Sequence, residues 1–310
     1  MPPTRPAARR TKRKEPITVT VPASVLTDEI TMDFADAVRT ASDAGLGYVD
    51  IRRVWGTHAH GVPRARWPEM QAILDDHGVQ LGAIQSNFGK CPIEGPEYDE
   101  HRAFLPILIE QAHYFGTSVV RTFPFWQSDR ETQEAVRPNL EPTLPQIVRQ
   151  FRPAAERAER EGVTLALEPE RSTYGGSASE VRRIIDALDS PAVRIAWDVD
   201  NGWPYEPLFP NAWDQVRGLV VNVHVKDRSF SPDHPEGRNR ELKALLGTGA
   251  LPWPRVIRSL RESGYRGLYS IETHFGRGGA YGFQKLKAAT VWYMYALREL
   301  LEDAGAEAEQ

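Results

Sequence analysis

Cysteine is almost absent from this 310-residue chain, where Cys91 stands alone. A single thiol rules out an internal disulfide and fits a reducing, cytoplasmic setting. Also missing is any apolar run near the roughly 18 residues that a membrane span requires. An excess of positive charge is lacking too: 38 Lys and Arg against 42 Asp and Glu give a formal net charge of -4, which argues against general nucleic-acid binding. No G-x-G-x-x-G turn occurs, so the phosphate-binding signature of an open, doubly wound sheet is lacking. What remains is ordinary for a soluble globular protein, with 41% hydrophobic and 26% charged residues, enough to bury a substantial core.

The ends read differently from the middle. Residues 1–16 form a basic, proline-rich stretch with nothing to bury, expected to be a disordered tail. No apolar segment follows Arg9-Arg10, so the pair does not read as a secretion signal. Residues 304–310 read as a short C-terminal tail. Between them, residues 17–303 alternate short apolar runs with longer amphipathic segments, the mark of repeated βα units. The expected strands are Ile17 to Val21, Tyr48 to Val54, Val79 to Gln85, Ser118 to Phe123, Val163 to Leu167, Val193 to Trp197, Leu219 to Val225 and Gly267 to Ile271. A helix is expected after each, the last over Tyr281 to Glu302. Eight such units linked by right-handed crossovers predict a single-domain α/β protein, a (β/α)8 TIM barrel.

In such a barrel all strand ends converge on one mouth. The last four strands end in Glu168, Asp198, His224 and Glu272. Taken alone, a histidine closing an apolar strand is more often a satisfied core residue than a ligand. Three carboxylates and an imidazole around a common axis are another matter, because unpaired like charges raise one another's pKa and cost several kcal/mol. A divalent cation resolves the conflict. Hard oxygen donors with one nitrogen suit Mn²⁺ best and also admit Mg²⁺, Co²⁺ or Zn²⁺.

The segments TLALEPE, RIAWDVDN, VNVHVKD and YSIETH resemble the four metal-ligand segments of the xylose-isomerase-like TIM barrels, the sugar phosphate isomerase/epimerase relatives. Gly247, Gly249, Gly264, Tyr265 and Gly267 match the turns that precede the last acidic strand end in those relatives. The resemblance implies that Glu168, Asp198, His224 and Glu272 bind one divalent ion. It also implies that Glu168 and Glu272 are catalytic, moving a proton at the carbon beside a carbonyl. Metal stabilisation of an enediolate makes that C–H acidic, so no further base is needed. The chain departs from the family pattern at Tyr174, Asn201 and Phe230, where relatives carry a glutamate, a histidine and a substrate arginine. Arg228 is a shifted candidate for that arginine.

His58 and His60, in the loop after the second strand, either contact substrate or are solvated. His274 and Lys226 lie two residues beyond Glu272 and His224. Lys226 either stabilises an oxyanion or pairs with Asp227 or a neighbouring glutamate. Trp55, Phe88, Phe125, Trp126 and Trp203 fall just past strand ends, where aromatic walls would suit the apolar face of a sugar or glycoside. The sequence therefore predicts a metal-dependent sugar or polyol isomerase or epimerase with a carbohydrate or glycoside substrate. Its nearest rival is a lyase or dehydratase that acts on a 3-oxo-glycoside or cyclitol through the same enolate. An endonuclease IV-type phosphodiesterase and a non-catalytic partner subunit are more distant. The last helix, bearing Trp292, Tyr293 and Tyr295, either covers the barrel or packs on another chain in a homo- or hetero-oligomer.

Overall fold

Short β-rich runs, buried on both faces, pair side by side in parallel and curl into a barrel. The computed structural model describes residues 21–127, 139–203, 206–229, 243–275 and 282–308. Its barrel strands are β1 (Ala23–Val25), β2 (Tyr48–Ile51), β3 (Gln80–Ile84), β4 (Val119–Thr122), β5 (Thr164–Leu167), β6 (Val193–Asp198), β7 (Val220–Val225) and β8 (Leu268–Ile271). They run in the spatial order β1-β8-β7-β6-β5-β4-β3-β2. A parallel bridge between Leu26 and Asp50 brings β2 back to β1.

Helices α1 (Phe34–Asp43), α2 (Trp67–His77), α3 (Pro96–Phe115), α4 (Leu144–Glu161), α5 (Ala178–Leu188), α6 (Trp213–Val216), α7 (Trp253–Glu262) and α8 (Gly282–Ala308) cover the strands, and a lone helical turn, Val199–Gly202, follows β6 directly. Their ends obey local chemistry. Gly78, Gly116 and Gly162 close α2, α3 and α4 at φ of 64°, 74° and 66°, a left-handed cap that glycine adopts without steric cost. Ser177 and Glu180 form a capping box at the start of α5, which satisfies two of its free N–H groups.

Three expectations shift. Of the run expected to supply the first strand, residues 17–20 lie outside the described residues, as do the basic tail and Phe230. The first barrel strand is instead Ala23–Val25, paired with Tyr269–Ile271. Small residues prevail there because Ser24 Oγ faces Ser270 Oγ at 2.9 Å inside the barrel, so packing outweighs β-propensity. The second strand stops at Ile51, and Arg53–Val54 turn away to pair antiparallel with Thr57–His58. The last helix runs to Ala308, into the segment read as a tail.

Beneath the mouth the barrel interior is polar. Asn222 Nδ2 donates to Ser270 Oγ at 2.7 Å, and Gln85 Nε2 donates to Asn222 Oδ1 at 3.1 Å and to Asp50 Oδ2 at 2.8 Å. Asp50 Oδ1 accepts from Ala83 N at 2.9 Å. Burial pushes the Asp50 carboxyl up from its ordinary value, and its hydrogen bonds only partly offset this. Gly82 makes room for the network, since a Cβ there would lie 2.7 Å from Asp50 Oδ1.

Candidate metal centre

Strand register brings the four acidic and imidazole side chains together. Asp198 and His224 are direct partners across β6 and β7. Glu168 N donates to Thr122 O at 3.0 Å and Glu272 N to Val225 O at 3.2 Å, so the ladder continues one residue past each strand and fixes where both glutamates leave it. All four residues are buried, and one ligand atom from each lies within 4.8 Å of the others.

Each ligand has one atom tied by a neighbour and one facing the shared point. Asp198 Oδ1 accepts from the backbone N–H groups of Asp200 at 3.0 Å and Asn201 at 2.9 Å. Its Oδ2 faces His224 Nδ1 at 3.9 Å. Glu168 Oε1 accepts from Asn201 Nδ2 at 2.9 Å, while Oε2 lies 3.5 Å from His224 Nδ1. Glu272 Oε1 lies 3.0 Å from His274 Nε2 and against Arg52, and Oε2 lies 3.2 Å from His224 Nδ1. Asn201 thus serves to orient Glu168.

The tautomer of His224 follows from the interior network. Gln85 uses its amide nitrogen on Asp50 and Asn222, so its Oε1, 3.0 Å from His224 Nε2, is the acceptor. Nε2 therefore carries the hydrogen. Nδ1 is buried without a hydrogen-bond partner. An orphaned imidazole nitrogen beside three inward carboxylate oxygens is a donor set that fits a divalent cation, with the far ring nitrogen held by Gln85 Oε1 as metal-binding histidines require. These residues fit the divalent ion that the resemblance implies.

Three cations lie among the carboxylates. Arg121 Nη1 is 3.0 Å from Glu168 Oε2 and 3.5 Å from Glu272 Oε1. Lys226 Nζ touches Asp198 Oδ2 and lies 3.0 Å from Glu272 Oε2. Arg52, just beyond β2, also reaches Glu272. Burial alone would raise the carboxyl pKa values, but Arg121 at Glu168 and Lys226 at Glu272 hold both well below the ordinary range. Burial would lower the His224 pKa, but Glu168 and Glu272 push it up to about 9. Lys226 pairs with Asp198 and Glu272, while Asp227 accepts from Gly247 N at 3.0 Å, Gly249 N at 3.1 Å and Leu251 N at 3.3 Å.

The remaining candidates are spread around this centre. The His274 side chain is 32% exposed and its φ is +50°, a strained conformation for a non-glycine residue. Burial lowers its pKa to about 4 although Glu272 opposes the shift. His58 is likewise lowered to about 4, by burial and then by Arg53, so both rings are neutral near pH 7. His58 stacks on His60 at 5.7 Å, and His60 on Phe104 of α3 at 3.9 Å. Arg228 is buried, with Nε 2.6 Å from Asp200 Oδ1 and Nη1 lacking a hydrogen-bond partner. Trp203 is half-buried against the core. Of the expected aromatic wall, Phe88 and Phe125 are fully buried. Both pack edge-on to Phe151, with ring centroids 5.8 and 6.2 Å away, so they belong to the core.

Arg52, Gln85 and Arg121 escaped the sequence reading. Arginine in the otherwise apolar run Val119-Val120-Arg121-Thr122-Phe123 was the available signal, because a strand buried on both faces has no water for a guanidinium. Gln85 carried no comparable mark.

The barrel with acidic and imidazole strand ends defines a class, and comparison with known proteins defines the family. The profile of the xylose isomerase-like TIM barrels matches residues 38–290, and the chain belongs to that family. A xylose isomerase-like TIM barrel protein from Mycobacterium smegmatis, solved in complex with magnesium, is similar with a TM-score of 0.70 at 20% identity, over 92% of this chain and 98% of that one. The 3-keto-D-glucoside 4-epimerase of E. coli is similar with a TM-score of 0.63 at 17% identity, over 86% of this chain and 94% of that one. Among curated proteins, a 3-oxo-isoapionate decarboxylase from Pectobacterium atrosepticum is 26% identical over 126 residues. That match spans 39% of this chain and only 44% of the relative's length. Among the described residues no helix is long and apolar enough to cross a membrane.

Proposed function

We propose that this chain is a cytoplasmic, divalent-metal-dependent sugar or polyol isomerase or epimerase that removes a proton beside a carbonyl. The observation that carries the reading is the convergence of four inward donor atoms, each with its opposite atom tied by a neighbour. Glu168, Asp198, His224 and Glu272 would hold the ion, Mn²⁺ by preference. An ion held there would supply Lewis acidity to a substrate carbonyl and to the enediolate formed from it.

The chain's own residues supply positioning and proton transfer. Glu168 and Glu272 are kept ionised by Arg121 and Lys226, and in this proposal one removes the proton while the other returns it to the opposite face. Arginine contact makes each a weak base, so transfer depends on an acidified C–H bond. Lys226 supplies positive charge beside Asp198 and Glu272, where developing oxyanion charge is stabilised. His274, neutral and partly exposed next to Glu272, is the proposed hydrogen-bonding contact for substrate oxygens. His58, His60, Trp203 and Arg228 complete the proposed substrate surround.

A second reading keeps the enolate but ends in loss of a leaving group from a 3-oxo compound. The curated match to a 3-oxo-isoapionate decarboxylase favours it. One experiment separates the two. Metal-loaded protein is incubated in D2O with ketoses, aldoses, 3-oxo-glycosides and 3-oxo sugar acids, with and without chelator. Deuterium at the carbon beside the carbonyl together with a new sugar isomer is the expected result. Release of aglycone or CO2 without an isomer selects the second reading, and turnover indifferent to chelator sinks both.

A further inference from the structure

Glu272 has two sides. Oε2 belongs to the centre described above, whereas Oε1 belongs to a second convergence with Glu29 and His274. His274 Nε2 lies 3.0 Å from Glu272 Oε1 and 3.8 Å from Glu29 Oε1. Two carboxylates and an imidazole at that spacing are the donors of a divalent-cation site. Glu272 thus offers one carboxylate oxygen to each set.

In this chain that position is filled from within. Arg52, just beyond β2, touches Glu272 Oε1 with Nη1, which also lies 3.2 Å from His274 Nε2. Its Nη2 lies 2.7 Å from Glu29 Oε1, and its Nε 2.9 Å from Asp28 Oδ2. One planar cation therefore contacts all three inward donor atoms and is anchored on a fourth carboxylate. A guanidinium stays charged at any working pH, so acid or base does not empty the position. The Arg52 contact also fixes the rotation of Glu272, leaving Oε2 turned toward His224 Nδ1.

We propose that Arg52 is a built-in substitute for a second metal ion, restricting the centre to one dication, and that its removal opens a two-ion centre bridged by Glu272. Arg52 is thereby a positioning residue. The proposal rests on the metal-centre reading above, and the test separates the two.

Wild-type chain, Arg52→Ala, Arg52→Lys and the double variant Arg52→Ala/His274→Ala are stripped with chelator, reloaded with excess Mn²⁺ and desalted. Elemental analysis gives manganese per chain, and electron paramagnetic resonance reports exchange coupling between neighbouring ions. The expected stoichiometry is one for wild type, two with a coupled spectrum for Arg52→Ala, one for Arg52→Lys and one for the double variant. Arg52→Ala holding one ion, or wild type holding two, overturns the proposal while leaving the first centre standing. Wild type holding none sinks the metal reading and this proposal with it. If Arg52→Ala is insoluble, Arg52→Gln is loaded in its place, and the same counts decide.

Discussion

His224 couples metal binding to protons. In the metal-free protein its pKa is raised from about 6.5 to about 9, so the ring is charged at neutral pH and Nδ1 is capped by hydrogen. A dication must displace that proton. Metal affinity should therefore rise roughly tenfold per pH unit up to about pH 9 and then level off, with one proton released per ion bound. The stability of the metal-free protein should move the other way. A raised folded-state pKa gives stabilisation that is complete below about pH 6.5 and is lost as pH climbs through 9. Calorimetric titrations in buffers of different ionisation enthalpy measure the proton count; metal affinity that is flat with pH would exclude Nδ1 as a ligand. Lys226 competes with the ion in a different way, because it covers the same oxygens of Asp198 and Glu272. A unit charge at about 4 Å is worth on the order of 4 kcal/mol at an effective dielectric of 20. Lys226→Met should accordingly tighten metal binding by about tenfold or more while lowering turnover, a split that joint measurement of metal Kd and kcat resolves.

At the scale of elements, the final helix and the loop after β7 secure the strand that carries His224. Tyr293, in α8, is fully buried, accepts from Asp227 N at 2.8 Å and donates to Ala244 O at 2.7 Å. Asp227 in turn gathers the backbone N–H groups of Gly247, Gly249 and Leu251. Gly249 permits that approach, since a Cβ there would lie 2.1 Å from Asp227 Oδ1. Tyr293→Phe leaves one buried donor and one buried acceptor unpaired and should cost about 1–3 kcal/mol in chemical denaturation, with metal stoichiometry unchanged. The same helix leaves Trp292 and Tyr295 about half exposed, so it covers its own barrel through Tyr293 and shows aromatic surface on the other side. Elements of this kind are only partly legible in the sequence. Strands β5 to β8 are plain because short, mostly apolar runs stop abruptly at Glu168, Asp198, Lys226 and Glu272. Strand β1 is obscured because Ala23 and Ser24 answer to crowding inside the barrel and not to strand propensity. Arg52 and Gln85 act on residues far away in sequence, with separations of 220 from Glu272 and 139 from His224, and no local pattern records such a contact.

Across the whole molecule, the centre joins the strands that complete the barrel. Its ligands leave β5, β6, β7 and β8, while Arg121 enters from β4, Gln85 borders β3 and Arg52 borders β2. A charge placed at that point therefore acts on seven of the eight strands at once. Buried carboxylates with incomplete partners oppose folding, because their desolvation is only partly repaid, and a dication bound to the native state alone relieves them. Mass action gives about 2.7 kcal/mol of added stability at a free metal concentration one hundred times Kd. For a single domain of this size, each kcal/mol shifts Tm by roughly 1.5 °C. Stripping the ion should thus lower Tm by about 4 °C in a single cooperative transition, with full recovery on adding Mn²⁺. Glu168→Gln should show a much smaller metal-dependent gain, because it removes one ligand charge and also leaves Arg121 with a neutral neighbour. Differential scanning calorimetry of the two proteins, with and without chelator, measures both differences. Equal metal-dependent gains would mean that the stabilising ion sits elsewhere than at the strand ends.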